Sequence, residues 1–159
     1  MLENNENKQI YKICDDFINI RLNNSFVDCN KNSKIKFLSL WTKYLEHINK
    51  ENITELMFLT KGIVPQVVSD TYCLFITTSE SIKIVANSKL YDIEVSFNSH
   101  NNTEYKMIFI SKHDWDDFMK SYDKSKKYEL MDETAYINNN KNAIKLAEET
   151  FGNDLINIK

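Results

Sequence analysis

Apolar residues recur along this chain with two different periods, and the switches between them set out the elements. Ile10, Ile13, Cys14, Phe17 and Arg21 fall at three- and four-residue intervals, which predicts an amphipathic helix over 6–22. The polar stretch 23–33 breaks it. A second helix over 34–49 gathers Phe37, Leu38, Trp41, Leu45 and Ile48 on one face, with Trp41 as its largest core anchor. Asn52 is placed to cap a short third helix, ITELMFL, whose Ile53, Leu56, Met57 and Leu59 cannot all face one side, so this element is expected to be largely buried. Lys61 and Gly62 end it.

From there the period shortens to two. The run 63–68 is β-branched but contains Pro65, which suits an edge or irregular strand because proline has no N–H for a ladder. Ser69 and Asp70 make a turn into the aromatic and β-branched run 72–77, giving a hairpin without the usual Asn-Gly signal. That strand feeds a helix through Thr78 and Ser79, with Glu80 in its first turn and Ile82, Ile84 and Val85 following. The stretch 90–98 reads two ways. Tyr91, Ile93, Val95 and Phe97 alternate with polar residues as in a strand, while Leu90, Ile93 and Phe97 fit one face of a helix. Residues 105–110, YKMIFI, predict a buried strand, and Ser111 then caps a helix carrying Asp114, Trp115, Phe118, Met119 and Tyr122.

Beyond 123 the chain turns polar and charged, and 124–142 reads as a linker of low order. The closing stretch 143–159 is a short amphipathic helix with Ile144, Ala147 and Phe151, a Gly152 stop, then Leu155, Ile156 and Ile158. Such an end either docks on its own domain or fits a partner's groove. The expected organisation is therefore an N-terminal helix and polar loop over 1–33, a core α+β domain over 34–123, the linker, and the apolar tail.

Composition narrows the chemistry. At 159 residues the chain suffices for one core that buries roughly 70% of the extended-chain surface. Two glycines and one proline exclude the Gly-rich phosphate loops and the nucleophile elbow, and no H-E-x-x-H occurs. His47, His100 and His113 are scattered, with no cysteine partner at zinc spacing. Asp114, Asp116 and Asp117 are the acids a helix dipole favours in a first turn, and His113 beside Asp114 points away from it. Cys14, Cys29 and Cys73 form no C-x-x-C pair and read as small hydrophobes in a reducing compartment, with Cys73 expected to be an unreactive thiol. A formal net charge of -3 gives no general pull toward a polyanion, and Lys124, Lys126 and Lys127 stand beside Asp123 and Glu129 as a solvated loop. The polar start and the absence of any membrane-length apolar run lead to the expectation of a cytoplasmic protein. No catalytic residue, cofactor or metal is expected.

Three blocks together resemble the C-terminal region of the tau subunit of bacterial DNA polymerase III, the clamp-loader protein, as found in low-GC Gram-positive bacteria and mollicutes. The first, 37–76, is similar to that family's tryptophan helix, short apolar helix and hairpin. The second, MIFISKHDWDDFMKSY over 107–122, resembles its strand, short loop and helix with an early tryptophan. The third, LAEETFGNDLINIK over 146–159, is similar to its closing helix, glycine and acidic-apolar end. The resemblance implies a truncated K-homology-like order, α-α-β-β-α-β, and so a helix at 90–98. It also implies a non-enzymatic replisome tether that binds the polymerase III alpha subunit, with the replicative helicase and other clamp-loader subunits as further partners. The candidate contacts are Trp115, Phe118, Phe151, Leu155, Ile156 and Ile158. The ATPase motifs of a clamp loader are absent. A K-homology-like RNA or single-stranded DNA binder is the alternative, and it lacks the G-x-x-G loop and basic face that such binding needs. Neither a membrane nor sequence-specific nucleic acid is an expected partner.

Overall fold

A computed structural model describes residues 9–139. Its centre is a mixed three-stranded sheet in the order β2-β3-β4, with β2 at Val64–Val68, β3 at Tyr72–Thr77 and β4 at Lys106–Ser111. β2 and β3 form the expected antiparallel hairpin, closed by Ser69: its N–H donates to the Tyr72 carbonyl (2.9 Å), and its hydroxyl accepts the Tyr72 N–H (3.0 Å). Pro65 is accommodated by a register shift between Pro65 and Val67, the irregularity that its missing N–H requires. β3 and β4 run parallel, so a crossover must join them. α3 (Glu80–Ser88) and α4 (Leu90–Asn101) supply it. Ser79 caps α3 by accepting the Ile82 N–H at 3.2 Å. The stretch 90–98 is thus helical, with Leu90, Ile93, Glu94 and Phe97 buried on one face.

Two helices precede the sheet. α1 (Asp15–Phe26) and α2 (Lys31–Lys50) pack on it, and α2 inserts Phe37, Trp41, Tyr44 and Ile48 into the core. The Trp41 ring lies 4.6 Å from Phe75 and 5.8 Å from Phe97, as a core anchor should. A 3₁₀ turn, Thr54–Thr60, follows, then Gly62 at φ +72°, where an added Cβ would meet the Thr78 methyl at 2.7 Å. α5 (Lys112–Lys120) leaves β4 through Ser111. The result is an α+β fold whose element order is α-α-β-β-α-α-β-α. No helix among the described residues is long and apolar enough to cross a membrane.

The sequence expectation is corrected in four places. The first helix begins at Asp15, not at 6, because Gln9–Tyr11 (β1) is extended and pairs antiparallel with Ile137–Asn139 (β5). It also runs on through Asn24 and Ser25 into the supposed breaking loop, because both polar side chains are buried and bonded: Ser25 donates to the Arg21 carbonyl at 2.8 Å, and Asn24 donates to the Met131 carbonyl at 3.0 Å. Asn52 is not a cap; it sits at φ 54° past the end of α2, and Ile53 precedes a 3₁₀ turn. Finally, the part of the expected linker from 124 to 139 lies on the body of the protein. The charge there is real and mostly exposed, but Glu133 is buried and β5 completes the small sheet.

Candidate interaction surface

The most polar part of the interior lies along the outer edge of β4. Arg21, fully buried, donates from Nε and Nη2 to both oxygens of Glu133 (3.1 and 3.0 Å), and from Nη1 to Glu94 (2.7 Å) and the Met107 carbonyl (2.8 Å). Its guanidinium carbon lies 4.6 Å from the ring centres of both Tyr11 and Phe17. Glu94 also accepts the Tyr11 hydroxyl (2.8 Å) and the Met107 N–H (3.4 Å). Burial pushes the Tyr11 phenol far above its ordinary range, with the Glu94 charge adding to the effect. Burial also raises the Glu94 carboxyl, against the pull of Arg21. The Arg21 guanidinium stays charged, since its two carboxylate neighbours outweigh the cost of burial.

This network has a backbone purpose. The Asn98 side chain pairs with both N–H and C=O of Tyr105 (2.9 and 2.9 Å), and Asn87 does the same for Phe109 (3.1 and 2.9 Å). Between them Glu94 and Arg21 serve Met107. Three side-chain sets, from α1, α3 and α4, therefore stand where a fourth strand would pair. An open cleft of about 780 Å³, lined by Tyr11, Tyr91, Glu94, Tyr105 and Lys106, lies over the same region. The polar atoms at its base are already committed to one another.

The residues singled out for reactive chemistry are dispersed. Burial pushes the Cys73 thiol well up. Asp114 closes a capping box with Ser111 and pairs with Lys83 at 2.8 Å. His113 reaches Asp117 at 3.3 Å, and His47 stacks on His100 at 4.4 Å across α2 and α4, which sequence spacing gave no reason to expect. Among the described residues, no three His, Cys, Asp or Glu side chains gather to hold a metal ion.

Trp115 and Phe118, by contrast, come together. Both are half-buried on α5 and face Phe26, at the end of α1, with ring centres at 6.3 and 5.4 Å. Tyr122 (5.5 Å) and Tyr128 (4.9 Å) complete a cluster around the same Phe26 ring. Met119, Leu130 and Met131 are exposed apolar residues in the same part of the chain. The charges of α5 are matched: Lys112 pairs with Asp116 and Lys120 with Asp117 within the helix, and Asp114 with Lys83 of α3. The surface is aromatic, partly wet and close to neutral. Phe26 and Tyr128 were missed by sequence reasoning because they lie in stretches read as loop and linker. The one available signal was that Phe26 stands four residues beyond Leu22, in phase with the first helix. Phe151, Leu155, Ile156 and Ile158 lie outside the described residues. No family model matches this chain, and no curated protein or solved structure matches it.

Proposed function

We propose that this chain is a non-catalytic protein-interaction module, a replisome tether that joins the clamp loader to the alpha subunit of the replicative DNA polymerase, with the replicative helicase as a further partner. The observation that carries the interaction reading is the half-exposed aromatic cluster around Phe26 of α1, made by Trp115 and Phe118 of the capped helix α5 and by Tyr122 and Tyr128 beyond its end. Large aromatic side chains held in place and partly hydrated are the anchors that protein interfaces favour. The replisome assignment rests on the three sequence blocks, and the chain has two helices, a hairpin, a helical crossover of two helices rather than one, and a third strand.

A second reading has one observation in its favour. Lys126 lies over the Tyr128 ring at 4.9 Å, and a row of aromatics with lysines nearby can stack single-stranded bases. Asp116 and Asp117 on α5 oppose it, since they pair with Lys112 and Lys120 and leave that helix without free positive charge for a phosphate.

Titration of the full chain against polymerase alpha subunit, helicase and a single-stranded oligonucleotide separates these readings. The tether predicts that Trp115→Ala with Phe118→Ala lowers polymerase affinity by about 2–4 kcal/mol, the range of interface hot spots. Oligonucleotide binding that weakens steeply with salt, without binding to either protein, would favour the second reading.

A further inference from the structure

An open groove lies between the start of α1 and α3. Both helices pack on β3 and β4, and Ile13, Cys14, Ile18 and Ile84 line the space between them, about 360 Å³ in volume. Ile84 is 60% exposed and Ile13 37%, so the apolar lining is in contact with water. Most polar groups of the groove are already taken. Asn87 holds the N–H and C=O of Phe109, Ser88 donates to the Val85 carbonyl, and Lys83 pairs with Glu80 and with Asp114. What the groove offers an occupant is therefore apolar surface, with the exposed Asp15 beside it. None of the five rings clustered around Phe26 lines it.

The segment 140–159 starts close to this groove. β5 ends at Asn139, which pairs with Gln9, and Gln9 stands four residues before Ile13. At about 3.3–3.6 Å per residue and about 5 Å between paired strands, Ile13 lies within about 20 Å of Asn139. Phe151 is the one aromatic residue of 140–159, and it shares a helical stripe with Ile144 and Ala147. With extended chain up to 143 and the helix expected from there to 151, Phe151 reaches about 25 Å from Asn139. A segment tethered this closely acts at an effective concentration on the order of millimolar.

We infer that the groove between α1 and α3 receives the apolar stretch 144–158 of this same chain, with the Phe151 ring set against Ile13, Cys14 and Ile84. A small polar ligand would find few unpaired groups there. A second copy could offer the same stretch, but only at the concentration of the protein in solution. Docking covers Ile84 and Cys14 and takes Phe151 out of water, so a protein that uses Phe151 has to displace it from the groove first. The inference does not depend on the tether reading, which rests on the Trp115 cluster.

The test uses the full chain with labelled isoleucine methyls, and reads nuclear Overhauser contacts between the Phe151 ring and the methyls of Ile13 and Ile84. These contacts are expected at low and high protein concentration alike. A second readout is the thiol of Cys14. In a Cys29→Ser chain, where Cys73 is buried, Phe151→Ala should speed the reaction of Cys14 with N-ethylmaleimide at least about fivefold, as expected when a covering segment is released. Ile84→Glu changes an exposed position on the groove side and should release the segment by the same measure. Agreement of the two variants separates docking from a defect particular to either one. The proposal is overturned if the Phe151 contacts are absent, or if Cys14 reacts at the same rate with Phe151 present and replaced. Contacts that arise only between differently labelled molecules in a mixed sample would assign the groove to a second copy and overturn it as well.

Discussion

Arg21 is the residue on which most of the long-range order converges. It joins α1 to α4 through Glu94, 73 positions away, and to the polar coil through Glu133, 112 positions away. Its place in the apolar phase of the first helix hints at burial, but partners at that distance leave no local trace in sequence. Replacing it by methionine keeps the volume and removes the charge. Two buried carboxylates then lose the cation they share, with Lys106 left 3.4 Å from Glu133 and none on Glu94, which costs about 3–5 kcal/mol. The sign with pH follows from Glu94. Glu94 is already pushed above the ordinary carboxylate range by burial, so the folded state holds its proton more tightly than the unfolded state. Its contribution therefore declines as pH rises through that window, and loss of Arg21 widens the window upward. Urea titrations of Arg21→Met should show the full deficit at pH 8 and a smaller one at pH 5; an equal deficit at both would mean that the Glu94 carboxyl is not the source of the pH dependence. Tyr11→Phe removes one hydrogen bond to the same carboxylate and should cost about 1.5–3 kcal/mol.

At the level of elements, what the sequence showed is what local chemistry controls. Strand β3, the Ser79 and Ser111 caps, the bulk of α2 and the proline irregularity in β2 all depend on side chains acting on their own neighbours. α4 was undecided for a physical reason: Glu94 faces inward to meet Arg21, so a charge sits on the buried face and blurs the helical stripe. The short pair β1 and β5 was invisible, since three-residue strands far apart in sequence carry too little pattern. Two of the five rings of the aromatic cluster, Trp115 and Phe118, could be named in advance and Tyr122 set on the same helical stretch; Phe26 and Tyr128 needed the tertiary arrangement. The α5 cap makes a testable unit. Ser111→Ala should cost about 1 kcal/mol. Burial alone would raise Asp114, but Lys83 and the Ser111 N–H hold it below its ordinary value. A lowered carboxyl gives stability that is present above about pH 4 and is lost as pH falls through the lower folded value. Thermal melts between pH 2 and 5 should therefore show a smaller acid-induced loss for Asp114→Asn than for the native chain.

Taken whole, the molecule is a sheet with one edge closed from inside and a polar coil strapped across its helices. The coil from 123 to 139 holds on by specific bonds as well as by the packing of Tyr128, Tyr136 and Ile137: Asn23 donates to the Glu129 carbonyl (2.7 Å), Asn24 exchanges bonds with Met131 (2.8 and 3.0 Å), and Lys12 N–H reaches the Tyr136 carbonyl (2.8 Å). Composition made this segment look like a free linker because its surface is charged, yet Glu133 supplies one of the two carboxylates that neutralise Arg21. The strap is therefore part of the folding unit. A chain ended after Tyr122 loses Glu133, the partner of β1 and the acceptors for Asn23 and Asn24 together. The ion-pair term alone is about 3–5 kcal/mol, a large share of the roughly 5–15 kcal/mol that stabilises a domain, and should lower the melting temperature by on the order of 10 °C. Glu133→Gln in the full chain keeps the strap and its shape while removing one charge. It should fall between the two, which isolates the electrostatic share from the loss of contacts. Equal melting of the shortened and full chains would show that the strap rides on the fold without supporting it, and would leave the buried Arg21 to be balanced by Glu94 alone.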